Sequence, residues 1–239
     1  MSADAILEVD GLKKEFGQHI AVDDVSFSIE RSGDMVGLIG PNGAGKTTLF
    51  NMITGIYDST EGDVYFQGDP ITDTPTHKIA ELGLTRTFQD TRVLERLTLK
   101  ENLLVASQVG KGHRDRANEL LEIIELDDRA GDLARDLSFG QQKLVSIAQT
   151  LMLDPDMILL DEPFAGVNPT MENKIIEIVH EFLDRDKTFL LIEHDMDIIM
   201  EQCNDIIVMN AGEILTRDNP EGVQNNEQVI EAYFGTDDE

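Results

Sequence analysis

Cysteine is almost missing from this chain: Cys203 is the single one among 239 residues. No internal disulfide can form, which suits a reducing compartment. No metal-ligating residue type stands beside Cys203, and it reads as a small packing residue. Also missing is any run of roughly 18 to 20 apolar residues, the length that spans a bilayer. The opening residues, Met1 to Ala5, lack the charged and apolar regions of a secretory signal. Internal repeats and low-complexity stretches are absent. Basic residues are scarce: 19 Lys and Arg face 47 Asp and Glu, a formal net charge of -28. A phosphate backbone needs a basic surface, so a nucleic-acid partner is not expected. The acids are spread along the whole chain. At about 1 M salt the Debye length falls to roughly 3 Å and their mutual repulsion is largely screened. The composition points to the salt-rich cytoplasm of a halophile, the alternative being an acidic protein whose charge simply keeps it in solution.

What is present is an ordinary apolar content of 41% in a chain long enough for a sizeable core. Short β-like runs, Ala5 to Val9, Ile20 to Val22 and Val25 to Ile29, open the sequence. Met35 to Ile39 predicts a strand that runs into a glycine-rich loop, and Leu49 to Ile53 a helix stopped by Gly55. Val64 to Phe66 returns to strand. From about residue 91 to 154 the pattern is mainly helical. Leu120, Leu121, Ile123 and Ile124 recur at helical spacing, and Gly110 to Asn118 reads as a polar connection. Met157 to Leu160 and Thr188 to Ile192 are short continuous apolar runs, as expected of strands buried on both faces. The amphipathic helix Ile175 to Leu183 lies between them, and Ile206 to Met209 ends the series. Strands alternating with helices predict an α/β fold with a mainly parallel sheet, an N-terminal antiparallel β subdomain and an inserted helical subdomain. We read residues 1–239 as a single domain, with about 91–154 as the insertion.

Three segments carry chemistry. Gly40, Pro41, Asn42, Gly43, Ala44, Gly45, Lys46, Thr47 and Thr48 fit the pattern G-x-x-x-x-G-K-[ST], a loop between a strand and a helix that cradles phosphates. Glycine lets backbone amides approach a phosphate closely, the helix start adds its positive end, Lys46 supplies a full charge, and the Thr47 hydroxyl can ligate magnesium. In Met157 to Pro163, two acids follow a buried strand. Asp161 is placed to hold the metal and Glu162 to polarise an attacking water. Ser138 and Gln141 are spaced as a capping box at a helix start, an arrangement that also leaves amides free for a phosphate. The segment alone does not decide between the two. Gln89 and His194 stand near strand ends beside these motifs.

Taken together, in this order and over nearly the whole chain, these motifs resemble the ATP-binding subunit of ABC transporters, built on a P-loop NTPase core. The resemblance implies that Phe16 stacks on adenine and that Gln89 reaches the magnesium and the attacking water. It implies that Ser138, Gly140 and Gln141 close over the γ-phosphate of ATP held by a second subunit, head to tail. His194 would contact that phosphate, and Ala165 to Pro169 would link the two sites. Catalysis then falls to Glu162, His194, Gln89 and Lys46, with ATP and Mg2+ as cofactors and Thr47, Gln89 and Asp161 on the metal. Leu82 to Gln89, Leu97 to Ala106 and Val229 to Gly235 are similar to the branched-chain amino-acid uptake subfamily. Phe139 stands where a second signature glycine is common, Lys143 where arginine is usual, and the connection around Gly110 is short. The resemblance implies transmembrane permease subunits, an extracellular solute-binding protein acting through them, and a position on the inner face of the membrane. Import of urea or amides, lipid export, and a soluble ABC ATPase are the alternatives.

Overall fold

A computed structural model of the chain describes residues 5–31, 33–87, 92–107 and 113–234. In chain order its elements are β1 (Ala5–Phe16), β2 (His19–Glu30), β3 (Met35–Ile39), α1 (Lys46–Ile53), β4 (Glu61–Phe66), β5 (Asp69–Pro70), α2 (Thr76–Glu81), β6 (Leu84–Arg86), α3 (Leu99–Ala106), α4 (His113–Ile123), α5 (Phe139–Leu151), β7 (Met157–Asp161), α6 (Pro169–Leu183), β8 (Thr188–Ile192), α7 (Met196–Gln202), β9 (Asp205–Asn210), β10 (Glu213–Asp218), α8 (Pro220–Gln224) and α9 (Glu227–Phe234).

The strands form two sheets. One is antiparallel, in the order β2-β1-β4-β5; the other has six strands in the order β10-β9-β3-β8-β7-β6. In the second sheet β9, β3, β8, β7 and β6 are parallel neighbours, and only β10 joins antiparallel, at the edge. Every residue of β3, β7 and β8 is buried, as their continuous apolar runs predict. Side chains alternate across the sheet. Ile158 and Leu160 enter a core shared with α3 to α6, whereas Met157 and Leu159 enter a second core shared with α1 and the antiparallel sheet. The six-stranded sheet is thus the wall between two cores, and its strand tips are held rigidly from both faces.

Several elements differ from the sequence reading. The runs Ile20 to Val22 and Val25 to Ile29 belong to one strand of 12 residues. Asp24, at φ 48°, makes a left-handed step inside it, and the pairing with β1 shifts register there instead of ending. Aspartate tolerates that conformation better than most residues, so the acidic pair Asp23 and Asp24 does not turn the chain. Residues 113–118, expected in a connection, form the first turns of α4; Arg114 and Asp115 lie on its outer side while Ala117, Leu120 and Leu121 are buried. The stretch 108–112 lies outside the described residues. α6 starts at Pro169, six residues before its first predicted position, because Asn168 caps it through a bond to the Met171 amide. β10 and α8 carry too few apolar residues in period to be read as elements, whereas α9 has Val229, Ile230, Tyr233 and Phe234 at helical spacing and was open to being read as a helix.

Cys203 packs as expected: it is buried, and burial pushes its thiol up to about 12. Among the described residues, no helix is long and apolar enough to cross a membrane.

The acidic surplus has a measurable consequence. Several surface cations are already engaged, as where Arg185 lies between Glu119 and Glu181 at 2.8 and 2.6 Å, and the acids far outnumber the bases, so most carboxylates are left to repel one another. Raising potassium chloride from about 0.1 to 1 M is expected to add about 2 kcal/mol to stability, a shift of roughly 4 to 8 °C in the melting midpoint followed by circular dichroism. A midpoint that is flat or falls with salt would contradict this.

Candidate active site

Parallel pairing aligns three strand tips. Leu38 on β3 is level with Ile192 on β8, and Ile192 is level with Asp161 on β7. The segments that follow, Gly40 to Gly45, Glu162 and His194, therefore emerge side by side at the carboxyl edge, where ligands bind open α/β sheets.

The loop is shaped by contacts that leave no room for side chains. At Gly40, φ 152°, a Cβ would lie 2.1 Å from the Met209 carbonyl oxygen; at Gly45, φ 101°, it would lie 2.4 Å from that of Ala21. The loop is thus pressed between β2 and the end of β9, and the Gly212 amide donates to the Ala44 carbonyl at 3.1 Å. Gly45 is the residue before α1, and no side chain caps that helix, so its positive end is offered to the cavity beside it. Lys46 is buried, and its ammonium donates to the Gly40 and Pro41 carbonyls at 2.6 and 3.2 Å. Burial lowers its pKa below that of an ordinary lysine, and the charges of Glu162 and Asp161 oppose the shift.

Asn42, Gly43, Ala44, Gly45, Lys46, Thr47 and Thr48 line a cavity of about 250 Å³ together with Glu162 and His194. His19 and Ala21 of β2 complete it, and neither was singled out from sequence. His194 Nε2 and Glu162 Oε1 are 2.6 Å apart, the histidine half-exposed and the glutamate 14% exposed. Glu162 adopts φ 49°, a left-handed conformation that costs a non-glycine residue about 1 kcal/mol or more. It is held there at both ends: its amide donates to the Ile192 carbonyl at 2.9 Å, and its carbonyl accepts from Lys143 Nζ at 2.9 Å. Lys143 also donates to the Pro163 carbonyl at 3.1 Å. Buried Glu193 accepts from the amides of Phe164 and His194 at 3.0 and 3.1 Å, and burial raises its pKa despite these bonds. Lys143 and Glu193 thus tie the α5 side of the fold, the Glu162 turn and the His194 turn into one frame. Neither role was legible from residue type.

Asp161 is buried at the end of β7 and caps no helix. Its Oδ2 accepts from Arg86 at 2.6 Å. Ser138 and Gln141 do form the expected capping box at the start of α5, with bonds of 3.4 and 3.0 Å; such a cap contributes about 1 kcal/mol. Ser138, Gly140 and Gln141 do not line the cavity around Lys46, nor does Phe16. Phe16 is exposed and packs edge-on against Tyr57, ring centres 5.5 Å apart. Gln89 lies outside the described residues. Near the far end of the chain, half-buried Tyr233 of α9 is bonded to the Gly40 backbone, and partial burial pushes its phenol up to about 12.

A second cavity, of about 270 Å³ and mainly apolar, lies beside β6 and is lined by Ile56, Ile79, Leu84, Arg86, Arg92 and Leu153 among others.

The chain is similar to known proteins over nearly its whole length. The family model described as ABC transporter matches residues 22–165, and that of the branched-chain amino acid ATP-binding cassette transporter matches residues 213–239. The high-affinity branched-chain amino acid transport ATP-binding protein BraF of Pseudomonas aeruginosa is 38% identical over 250 residues, covering 96% of this chain and 98% of its own. The lipopolysaccharide export system ATP-binding protein LptB of Haemophilus influenzae is 35% identical, covering 97% and 98%. Among solved structures, the ADP conformation of an ATP-binding cassette of an ABC transporter superposes with a TM-score of 0.88 at 35% identity, over 97% of this chain and 99% of that one. A cassette solved as a dimer in a post-hydrolysis state with ADP and phosphate gives 0.78 at 27% identity, over 90% and 98%. The chain belongs to the ABC transporter family, as an ATP-binding and ATP-hydrolysing subunit.

Proposed function

We propose that this subunit powers the import of branched-chain or related amino acids, by binding ATP between two head-to-tail chains and hydrolysing it there. The observation that carries the hydrolytic part is the Glu162 to His194 pair, 2.6 Å apart, opening into the same cavity as Lys46 and Thr47. In this reading the amides of Gly43 to Thr48 and the Lys46 ammonium grip the β- and γ-phosphates. Glu162 takes the proton of the attacking water, and His194 orients Glu162 and the γ-phosphate. Phe16, exposed at the end of β1, stacks on adenine.

The residues fit a magnesium ion: Thr47 and Asp161 offer the hard oxygen donors that such an ion prefers, and the resemblance adds Gln89. When bound, magnesium neutralises charge on the phosphates. Ser138, Gly140 and Gln141 stand outside the Lys46 cavity of their own chain, as they must if they close over ATP held by the other. The relative solved as a dimer supports this arrangement. The second cavity, beside β6 and lined in part by Arg92, is the seat for a permease's cytoplasmic helix. Through that contact the subunit sits on the inner face of the membrane, and an extracellular solute-binding protein acts on it only through the permease.

The match over residues 213–239 and the BraF relative favour amino-acid import. Lipid export is the second reading, favoured by the LptB relative. Membrane vesicles carrying the assembled transporter, supplied with ATP inside and radiolabelled leucine, isoleucine or valine outside, test the choice. ATP-dependent accumulation is expected. No accumulation of any of the three, with intact ATPase activity, would rule out this substrate class.

A further inference from the structure

A guanidinium and a carboxylate buried together stay in place only when each meets opposite charge and the remaining donors are satisfied. Arg86 is the last residue of β6 and Asp161 the last of β7, neighbouring parallel strands. Arg86 Nη2 donates to Asp161 Oδ2 at 2.6 Å, with both side chains almost wholly buried. Its Nη1 donates to Asn51 Oδ1 at 2.6 Å, and its guanidinium carbon lies 5.5 Å from the centre of the Phe50 ring. Phe50 and Asn51 belong to α1, the helix that begins with Lys46 and Thr47. One planar side chain therefore bridges the helix carrying Thr47 and the strand carrying Asp161. The Asp161 backbone is fixed separately, its amide donating to Thr87 Oγ1 at 3.1 Å.

We propose that Arg86 is a positioning residue for the divalent cation of the nucleotide site: it sets where the Asp161 carboxylate stands relative to Thr47. Like partners that orient metal ligands elsewhere, it acts through the ligand and not on the ion. The rigid two-ended fork of arginine is needed, because a lysine ammonium is a point charge that cannot reach Asn51 and Asp161 in the same geometry. The inference rests on the nucleotide-site reading above.

Manganese serves as the probe. Its binding to the ADP-loaded protein is followed by electron paramagnetic resonance, alongside ADP binding in EDTA by calorimetry, for the parent, Arg86→Lys and Asn51→Ser. The manganese affinity of Arg86→Lys is expected to fall about 10- to 100-fold, with metal-free ADP affinity within about twofold of the parent. Asn51→Ser keeps the ion pair, the Phe50 contact and a longer bond from Nη1 to Thr54 Oγ1 at 3.4 Å, and loses the short bond to α1, so it is expected to fall between, by at least about threefold. Manganese affinity within twofold of the parent in a folded Arg86→Lys would overturn the proposal, as would an equal loss of ADP affinity in EDTA, which marks a merely structural role. If Arg86→Lys does not fold, unchanged manganese affinity in Asn51→Ser overturns it. A parent chain that binds no ADP in EDTA would instead sink the nucleotide-site reading beneath it.

Discussion

Replacing Glu162 with glutamine is expected to cut ATP turnover by at least about a hundredfold, the lower end of what a positioned general base contributes. That factor corresponds to about 2.7 kcal/mol in the barrier. The substitution keeps the size and shape of the side chain and removes its basicity. The Ile192 and Lys143 contacts that hold the left-handed turn are made by the Glu162 backbone, so they survive it. Binding of ATP should persist, and the dimer that ATP closes should accumulate because its product is not formed. Phosphate release by a coupled assay gives the first quantity, and light scattering with and without ATP gives the second. Turnover near the parent rate would remove Glu162 from the role of base and leave the neighbouring His194 as the group to explain hydrolysis.

The second large effect belongs to Lys46. Its ammonium donates to the Gly40 and Pro41 carbonyls, the frame of the loop itself. An incoming triphosphate offers this buried cation a charged partner in place of neutral ones. A charge-assisted hydrogen bond contributes about 1.5 to 3 kcal/mol, so Lys46→Ala is expected to weaken ATP binding by roughly 10- to 100-fold. Calorimetric titration measures this directly. The variant also loses a tie across the loop, so a melting curve accompanies the titration to separate a collapsed loop from a lost charge. Unchanged affinity would mean that the backbone amides alone hold the nucleotide.

The sequence and the structure agree most closely where the pattern is short and dense. Met35 to Ile39 and Thr188 to Ile192 are strands with the bounds that their apolar runs mark. A strand buried on both faces has no polar position to blur its ends. The phosphate loop was legible for a related reason: two of its glycines, Gly40 and Gly45, sit where a Cβ would strike a carbonyl, so the backbone geometry is written in residue type. Elements at the surface were harder. β10 has no buried residue, its side chains being half-buried or exposed, and no alternation survives there to be read. α4 begins with charged residues because its first turns face solvent, which made residues 113–118 look like a connection.

The site shows the same division. Residues whose chemistry is local, such as Lys46, Glu162 and the Ser138 cap, were legible one by one. Residues that act across the fold were not. Lys143 and Glu193 reach backbone groups far away in sequence, at Glu162, Pro163 and Phe164, and Arg86 joins β6, β7 and α1. Their types are ordinary in any sequence; only the packing of α5 and the strand tips gives them partners. Phe16 and Ser138 mark a further boundary, since each is proposed to complete a site whose other half is a nucleotide or a second chain.

All of this depends on the loop from Gly40 to Thr48 taking the phosphates of ATP beside the Glu162 and His194 pair. The direct measurement is calorimetric titration of ATP into the purified chain, with magnesium in excess and about 1 M potassium chloride to screen the acidic surface. Saturable binding of one nucleotide per chain is expected, followed by slow release of phosphate. A folded protein that takes up no ATP at millimolar concentration would contradict it.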